Sequence, residues 1–398
     1  MDEKRCFLIL GGNGFIGFET VLAISDTCSG ILDACAPAKD DEKRRYCLIL
    51  LNRGRSWDWD KLDTLSKSSS PFCSVTHVRY NRKESPEDCS QLVSLMASMQ
   101  NVSAVIDFSA YRPAELRTFV EYVRGKCQLY VFISTDSVYE VCLEKHHSGA
   151  LLETDAIRPS LESDRQKYGR CDRYGHQKLR CEEYLHRQSL CPDGIPSVVF
   201  RLADVIGPRD GTDRFWQYLL WLKLCLHHDL PFYVHEASRD KLISLCYVKD
   251  VATFLARFLY NSMLNDQVLQ TSPFRCYNLA LVEMTTVEHL IKLIHDELPS
   301  KTQLKIVYTD KECVPQMLPS VSCGPISVMK ATNELVWAPS SLLHAVKDTV
   351  YYYQKIGDGG QFSKEKKECM EELLDDLRGV YPQHTESFRQ SLKSFLKL

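Results

Sequence analysis

Gly11-Gly12-Asn13-Gly14-Phe15-Ile16-Gly17 follows the apolar run Cys6–Leu10 and leads into FIGFETVLAIS (Phe15–Ser25). The spacing is G-x-x-G-x-x-G between a buried strand and the start of a helix. Three separate demands explain it. One glycine permits the tight turn, one lets a pyrophosphate approach the backbone, and one lets helix and strand pack closely. Free N–H groups and the helix dipole then favour an anion at the turn. The motif alone is weak, but its strand–turn–helix context is what a dinucleotide site requires. Gly11, Gly14 and Gly17 are therefore expected to line a dinucleotide cofactor.

The next apolar run, Cys47–Leu51, ends in Asn52-Arg53-Gly54-Arg55. An NAD-type site usually carries an acid here for the ribose 2′-hydroxyl. This strand end offers arginines, which suit a 2′-phosphate through paired guanidinium bonds. The reading favours NADP over NAD, with Arg53 at the cofactor.

Further apolar runs recur at Ser74–Tyr80, Ala104–Phe108, Tyr130–Ser134 and Ser197–Val205, alternating with the helical patterns Ser90–Met99 and Glu115–Cys127. Such alternation predicts an α/β fold: a doubly wound parallel sheet of the Rossmann kind with helices on both faces. Residues 1–205 are assigned to the dinucleotide-binding domain, its sheet completed by 245–280. Beyond Ile206 the alternation loosens over residues 206–358, and 359–398 reads as a charged helical tail. That tail is expected to be a solvated amphipathic helix pair or a docking element for a second subunit, giving a homodimer. Asp26–Arg45, Trp57–Pro71 and Glu144–Arg170 look like polar additions.

Ser134-Thr135 closes the fifth strand, on the side where a parallel sheet meets its ligand. Tyr174 and Lys178 stand at i and i+4 and share a helix face. A nearby ammonium favours the phenolate, so Tyr174 becomes an acid or base near neutral pH. Lys178 also suits the nicotinamide ribose, and a hydroxyl from Ser134 or Thr135 suits the substrate oxygen. A lone Y-x-x-x-K is common by accident. Its conjunction with the glycine turn and the strand-end serine is what carries weight.

Through GGNGFIG, LNRGRS, VFISTDSVY, YGHQK, RLADVIGPRDGTDRF and CYVKDVA the chain resembles the short-chain dehydrogenase/reductase superfamily. Within it, the chain resembles the extended and atypical NAD-dependent epimerase/dehydratases. LNRGRS and GPRDGTDRF are similar to a subgroup related to chloroplast stem-loop-binding proteins. The resemblance runs from about Cys6 to Tyr353. It implies Ser134 or Thr135, Tyr174 and Lys178 as the catalytic set, a cofactor lined also by Asn13, Phe15, Ile16 and Asn52, a smaller C-terminal substrate-binding region at 206–358, and a substrate that is often a nucleotide sugar. It also implies Asp107, Phe108 and Ser109 beside the cofactor's ribose and pyrophosphate. Dehydratases of the family commonly carry Thr-Asp-Glu after the fifth-strand serine. Here Ser137 replaces that glutamate, which argues against water elimination. Asp136 is read as a substrate-side acid or as the cap of the following turn.

Arg209 and Arg214, in the cluster Arg209–Arg214, suit a substrate diphosphate or a salt-bridged surface loop. His146-His147 and His227-His228 lack the partners of a metal site, so no metal is expected. Tyr351-Tyr352-Tyr353 reads as helix packing.

The 398 residues are 44% hydrophobic and 25% charged, with 49 basic and 52 acidic residues and a net charge of −3. That balance disfavours a dedicated nucleic-acid binder. No run approaches the ~18 apolar residues of a membrane helix. The 17 cysteines contain no C-x-x-C pair, so free thiols in the cytoplasm are expected. Two function classes follow. One is an NADP-dependent oxidoreductase or epimerase using Tyr174. The other is a cofactor-binding regulatory or RNA-associated module without turnover.

Overall fold

The computed structural model describes residues 5–28, 46–54, 73–262, 272–300, 302–358 and 363–397. Arg55 and most of the two polar additions at Asp26–Arg45 and Trp57–Pro71 lie outside these residues. The chain divides into two compact units. The first comprises Met1–Ala203, Val248–Leu279 and Ile326–Ala338. The second comprises Asp204–Tyr247, Ala280–Pro325 and Pro339–Leu398.

In the first unit, β1 (Arg5–Leu10) leads to α1 (Phe15–Cys28), and β2 (Tyr46–Asn52) to β3 (Cys73–Arg79). Then come α2 (Ser90–Ser98), β4 (Ala104–Asp107), α3 (Pro113–Val123) and β5 (Tyr130–Thr135). The helices α4 (Glu162–Cys171) and α5 (Arg173–Ser189) precede β6 (Ser197–Leu202). The second unit opens with β7 (Asp204–Ile206), α6 (Arg214–His227), β8 (Phe232–His235) and β9 (Leu245–Tyr247). The chain then returns to the first unit with α7 (Val248–Ser262) and β10 (Phe274–Leu279).

Seven strands form one parallel sheet in the order β3-β2-β1-β4-β5-β6-β10. This is the doubly wound Rossmann arrangement, whose order reverses between β1 and β4 and opens a crevice at the strand C-termini. Near-continuous apolar strands suit a sheet covered on both faces. On one face Leu8, Leu10, Val105 and Phe132 pack with Leu116, Phe119 and Leu185 from α3 and α5. On β6, Phe200 meets Phe254 and Phe258 of α7 edge-on at 5.3 Å each. Cys181 and Leu185 in the first of these clusters bring α5, and with it the Tyr174–Lys178 pair, onto the sheet.

Two local expectations change. Ser197–Val205 is not one strand. It breaks at Ala203, and β7 pairs with β9 in a separate two-stranded sheet. The polar addition Glu144–Arg170 contains most of α4, which the sequence hides because none of its residues is buried.

The second unit continues with α8 (Val287–Asp296) and β11 (Ile306–Thr309), the latter paired with β8. After α9 (Met329–Leu335), which belongs to the first unit, it resumes with α10 (Leu342–Asp358). The tail forms α11 (Ser363–Leu377) and α12 (Thr385–Leu396), and it is not a solvated pair. Cys369, Leu373, Leu377, Phe388 and Leu392 are buried, and Tyr381 accepts from Trp221 Nε1 of α6 at 3.2 Å. The charges of the tail fill its outer face while its apolar stripe packs. On α10, Tyr353 stacks on Trp216 at 5.0 Å, whereas Tyr351 is exposed.

Candidate active site

The glycine turn is built as its spacing requires. Gly11 has φ +81°, and a Cβ there would meet Ser109 Cβ at 3.0 Å. A Cβ on Gly17 would lie 2.2 Å from the Gly11 carbonyl oxygen, so helix α1 could not start where it does. Gly14 N–H donates to Gly11 O at 3.0 Å, and Phe18 N–H to Gly14 O at 2.8 Å. Phe15 and Ile16 are half-buried at the start of α1. Asn52, buried at the end of β2, accepts from Asn13 N–H through Oδ1 at 3.3 Å. Its Nδ2 is buried without a partner, which leaves a donor beside the turn. Arg53 is exposed beside it.

Asp107 is 0% exposed, and both its oxygens are engaged. Arg82 donates to Oδ1 at 2.7 Å and to Oδ2 at 3.0 Å, and Tyr130 Oη donates to Oδ2 at 2.7 Å. The amides of Ser109 and Ala110 also donate to Oδ1, each at 2.9 Å. Burial alone would raise the Asp107 carboxyl. The Arg82 guanidinium, the Tyr130 hydroxyl and the Ser109 amide outweigh it and hold the group below its usual range. The Asp107 carboxylate is thus the anchor of the β4–α3 turn, with both oxygens bound by protein partners. Phe108 and Ser109 are half-buried on that turn, and Ser109 Oγ accepts from Arg82 at 2.9 Å.

Ser134 and Thr135 separate because successive strand residues face opposite ways. Ser134 is buried and donates to Glu182 Oε1 at 2.5 Å. Glu182 is in turn bound by Arg201, with Nη2 to Oε2 at 2.7 Å, and Arg201 also reaches Tyr139 Oη and Glu153 O at 3.0 Å each. Ser134 therefore belongs to a buried ion-pair network joining α5 and β6. Thr135 is half-buried. Its hydroxyl lies 3.3 Å from both Asp136 Oδ1 and Ser137 Oγ and accepts from Ser137 N–H at 3.2 Å. Thr135, not Asp136, caps the following 3-10 turn.

Helix α5 begins at the cap Asp172, whose Oδ1 accepts from Gly175 N–H at 2.9 Å. A Cβ on Gly175 would lie 2.1 Å from Ser137 O. Only glycine lets the helix end approach the β5 turn this closely, and Tyr174 is fixed by that contact. Tyr174 is 45% exposed, while Lys178 one turn below is 2% exposed. Lys178 Nζ donates to Ile133 O at 2.7 Å. Three rings surround the ammonium: Phe132 at 4.6 Å, Tyr111 at 5.2 Å and Tyr174 at 6.0 Å. Burial pushes the Lys178 pKa down to about 8, so the group remains mostly charged at neutral pH.

In the second unit Arg214 Nη1 binds Asp204 Oδ1 at 2.6 Å, and Ser320 N–H and Oγ hold the same carboxylate. Arg214 is thus a loop brace. Arg209 has φ +68° and its guanidinium lies 5.5 Å from the Tyr352 ring. His147 bonds Asp155, and His228 bonds Ser391. Among the described residues no group of His, Cys, Asp or Glu is arranged to hold a metal. Every cysteine whose side chain is described is a free thiol, and no described helix is long and apolar enough to cross a membrane.

The sequence reading missed Arg82, Tyr111, Glu182 and Arg201. Glu182 falls at i+4 from Lys178, so the Tyr174–Lys178 helix face extends one turn further and pointed to it. Nothing in the spacing of Arg82 or Tyr111 does so.

No curated protein matches the chain in sequence. Solved structures match it in fold. UDP-glucose 4-epimerase of Thermotoga maritima, solved with UDP-glucose, aligns with a TM-score of 0.59 at 19% identity, covering 88% of this chain and 99% of that one. dTDP-glucose 4,6-dehydratase of Bacillus anthracis, solved with NAD, gives 0.56 at 16%, covering 89% and 98%. UDP-glucuronic acid 4-epimerase of Bacillus cereus, solved with UDP-glucuronic acid and NAD, gives 0.55 at 18%, covering 88% and 99%. Residues 95–269, which carry Thr135, Tyr174 and Lys178, match the model of the NAD dependent epimerase/dehydratase family.

Proposed function

We propose that the chain is an NADP(H)-dependent oxidoreductase or epimerase acting at a carbinol or carbonyl carbon of a nucleotide sugar or related metabolite. The observation that carries this reading is the seating of Tyr174 above the buried ammonium of Lys178, on a helix end clamped by Gly175 against the turn that holds Thr135.

The residues present fit a dinucleotide. The Cβ-free cradle at Gly11 and Gly14 leaves room for pyrophosphate, and the unpartnered Nδ2 of Asn52 supplies a donor beside it. Asn13, Phe15, Ile16 and Ser109 complete that wall, and Lys178 holds the nicotinamide ribose. Arg53, with no acid beside it at the β2 end, supports a 2′-phosphate and so NADP(H) over NAD(H). When bound, the nicotinamide supplies the hydride acceptor or donor.

Tyr174 takes the proton from the substrate hydroxyl, or returns it to a carbonyl oxygen. The Lys178 cation stabilises the phenolate that results. Thr135, whose hydroxyl makes only long bonds to its neighbours, donates to the same substrate oxygen. Ser137 provides no base for water elimination, which favours epimerisation or net redox over dehydration. Free thiols support a reducing, cytoplasmic setting.

The test compares NADPH and NADH binding and nucleotide-sugar turnover in wild type, Arg53→Ala and Tyr174→Phe. Arg53→Ala weakens NADPH more than NADH, and Tyr174→Phe binds NADPH normally but turns over poorly. Equal loss for both cofactors overturns the NADP preference, and undiminished turnover in Tyr174→Phe overturns the role of the tyrosine.

A further inference from the structure

Lys178 is assigned to the nicotinamide ribose, yet the residue is 2% exposed and its ammonium is surrounded by three rings. One of them must give way for a ribose to reach it. Phe132 lies inside strand β5 and is fully buried. Tyr174 rides on α5, whose first turn is fixed by the Asp172 cap and the close approach of Gly175 to Ser137. Tyr111 differs from both. It stands on the turn after β4, outside any strand or helix, and is 53% exposed. The turn is pinned before it, where Asp107 holds the amides of Ser109 and Ala110, and α3 begins after it at Pro113. Its ring lies 6.0 Å from that of Tyr174, and its phenol is within electrostatic reach of Arg53, Arg82 and Asp107. The side chain therefore lies over the Lys178 ammonium, beside the ring of Tyr174.

Resting on the cofactor assignment above, we propose that Tyr111 is a gate: its ring roofs Lys178 in the free protein and swings off the ammonium to admit the nicotinamide ribose. The pinned turn keeps the backbone in place, so the motion is one of side-chain rotation about an exposed position. Rotamer changes of exposed residues are fast, so the gate sets an occupancy cost and not a slow step.

Two measurements on the full chain test this. In the first, trinitrobenzenesulfonate labels amines in the absence of cofactor and peptide mapping reports Lys178. Tyr111→Ala exposes the lysine, so its labelling rises about tenfold over wild type if the closed state holds about 90% of the population. Tyr111→Phe keeps the ring and labels like wild type. In Tyr111→Ala the other lysines label at their wild-type rates, which separates the loss of the roof from a general loosening of the fold. In the second, NADPH fluorescence titration shows tighter binding to Tyr111→Ala by a similar factor. Unchanged Lys178 labelling in Tyr111→Ala overturns the gate even where NADPH binds. A wild type that binds no NADPH overturns the cofactor assignment itself, and the gate with it.

Discussion

Replacing Lys178 by methionine should stabilise the protein near neutral pH while removing catalysis. Lys178 has an ordinary pKa of 10.5, lowered by burial to about 8. The unfolded chain therefore binds more protons between these values, and stability rises with pH across that window. The cost of the buried ammonium is full below about pH 8 and relieved by about pH 10.5. At roughly 1.4 kcal/mol per pH unit the cost is about 3 kcal/mol. Methionine keeps the length and apolar body of the side chain. It loses the bond to Ile133 O, worth about 1 kcal/mol, and leaves that carbonyl without its lysine partner. The net expectation is a variant about 2 kcal/mol more stable at pH 7, with the advantage shrinking to nothing and then reversing as pH approaches 10.5. Paired urea melts of Tyr174→Phe with and without Lys178→Met, at half-unit steps from pH 7 to 10, measure the difference directly, since the phenol that feels the Lys178 charge is absent from both and distant groups cancel. A stability difference that is flat over that range, or one that grows with pH in favour of methionine, refutes the reasoning.

Gly175→Ala places a Cβ 2.1 Å from Ser137 O, so the start of α5 must shift. We expect a loss of about 1–3 kcal/mol in a thermal melt and displacement of Tyr174, read as a fall in kcat with little change in NADPH affinity. Gly17→Ala meets the Gly11 carbonyl at 2.2 Å and should abolish NADPH binding in a fluorescence titration. Glu182→Ala strands the Arg201 guanidinium in the core and should cost about 3–5 kcal/mol in urea, whereas replacing both by apolar residues of similar volume should cost much less.

The sheet and its cofactor turn were legible because each rests on a local pattern. Buried parallel strands read as apolar runs, and the turn at Gly11–Gly17 needs glycine at fixed offsets. The Tyr174–Lys178 pair was legible for the same reason, through helix spacing. What the sequence left open, Ser134 or Thr135, depends on which face of β5 looks at the crevice, and alternation alone does not say. The partners that decide it, Glu182 and Arg201, are 48 and 67 residues from Ser134. The ion pair of Asp107 was not legible because its partner Arg82 comes from a different strand end. The tail was misread because its buried stripe is diluted by charge. α4 had no stripe to read at all.

Tyr174 is proposed as the acid/base for hydride chemistry. The most direct measurement is turnover of a panel of nucleotide sugars by NADP-loaded wild type and Tyr174→Phe, with NADPH affinity measured for both. Turnover by wild type, a fall of about 10²–10⁴ in the phenylalanine variant and equal affinities are expected. Tight NADPH binding with no turnover of any member of the panel, or equal turnover by the two proteins, would contradict that role.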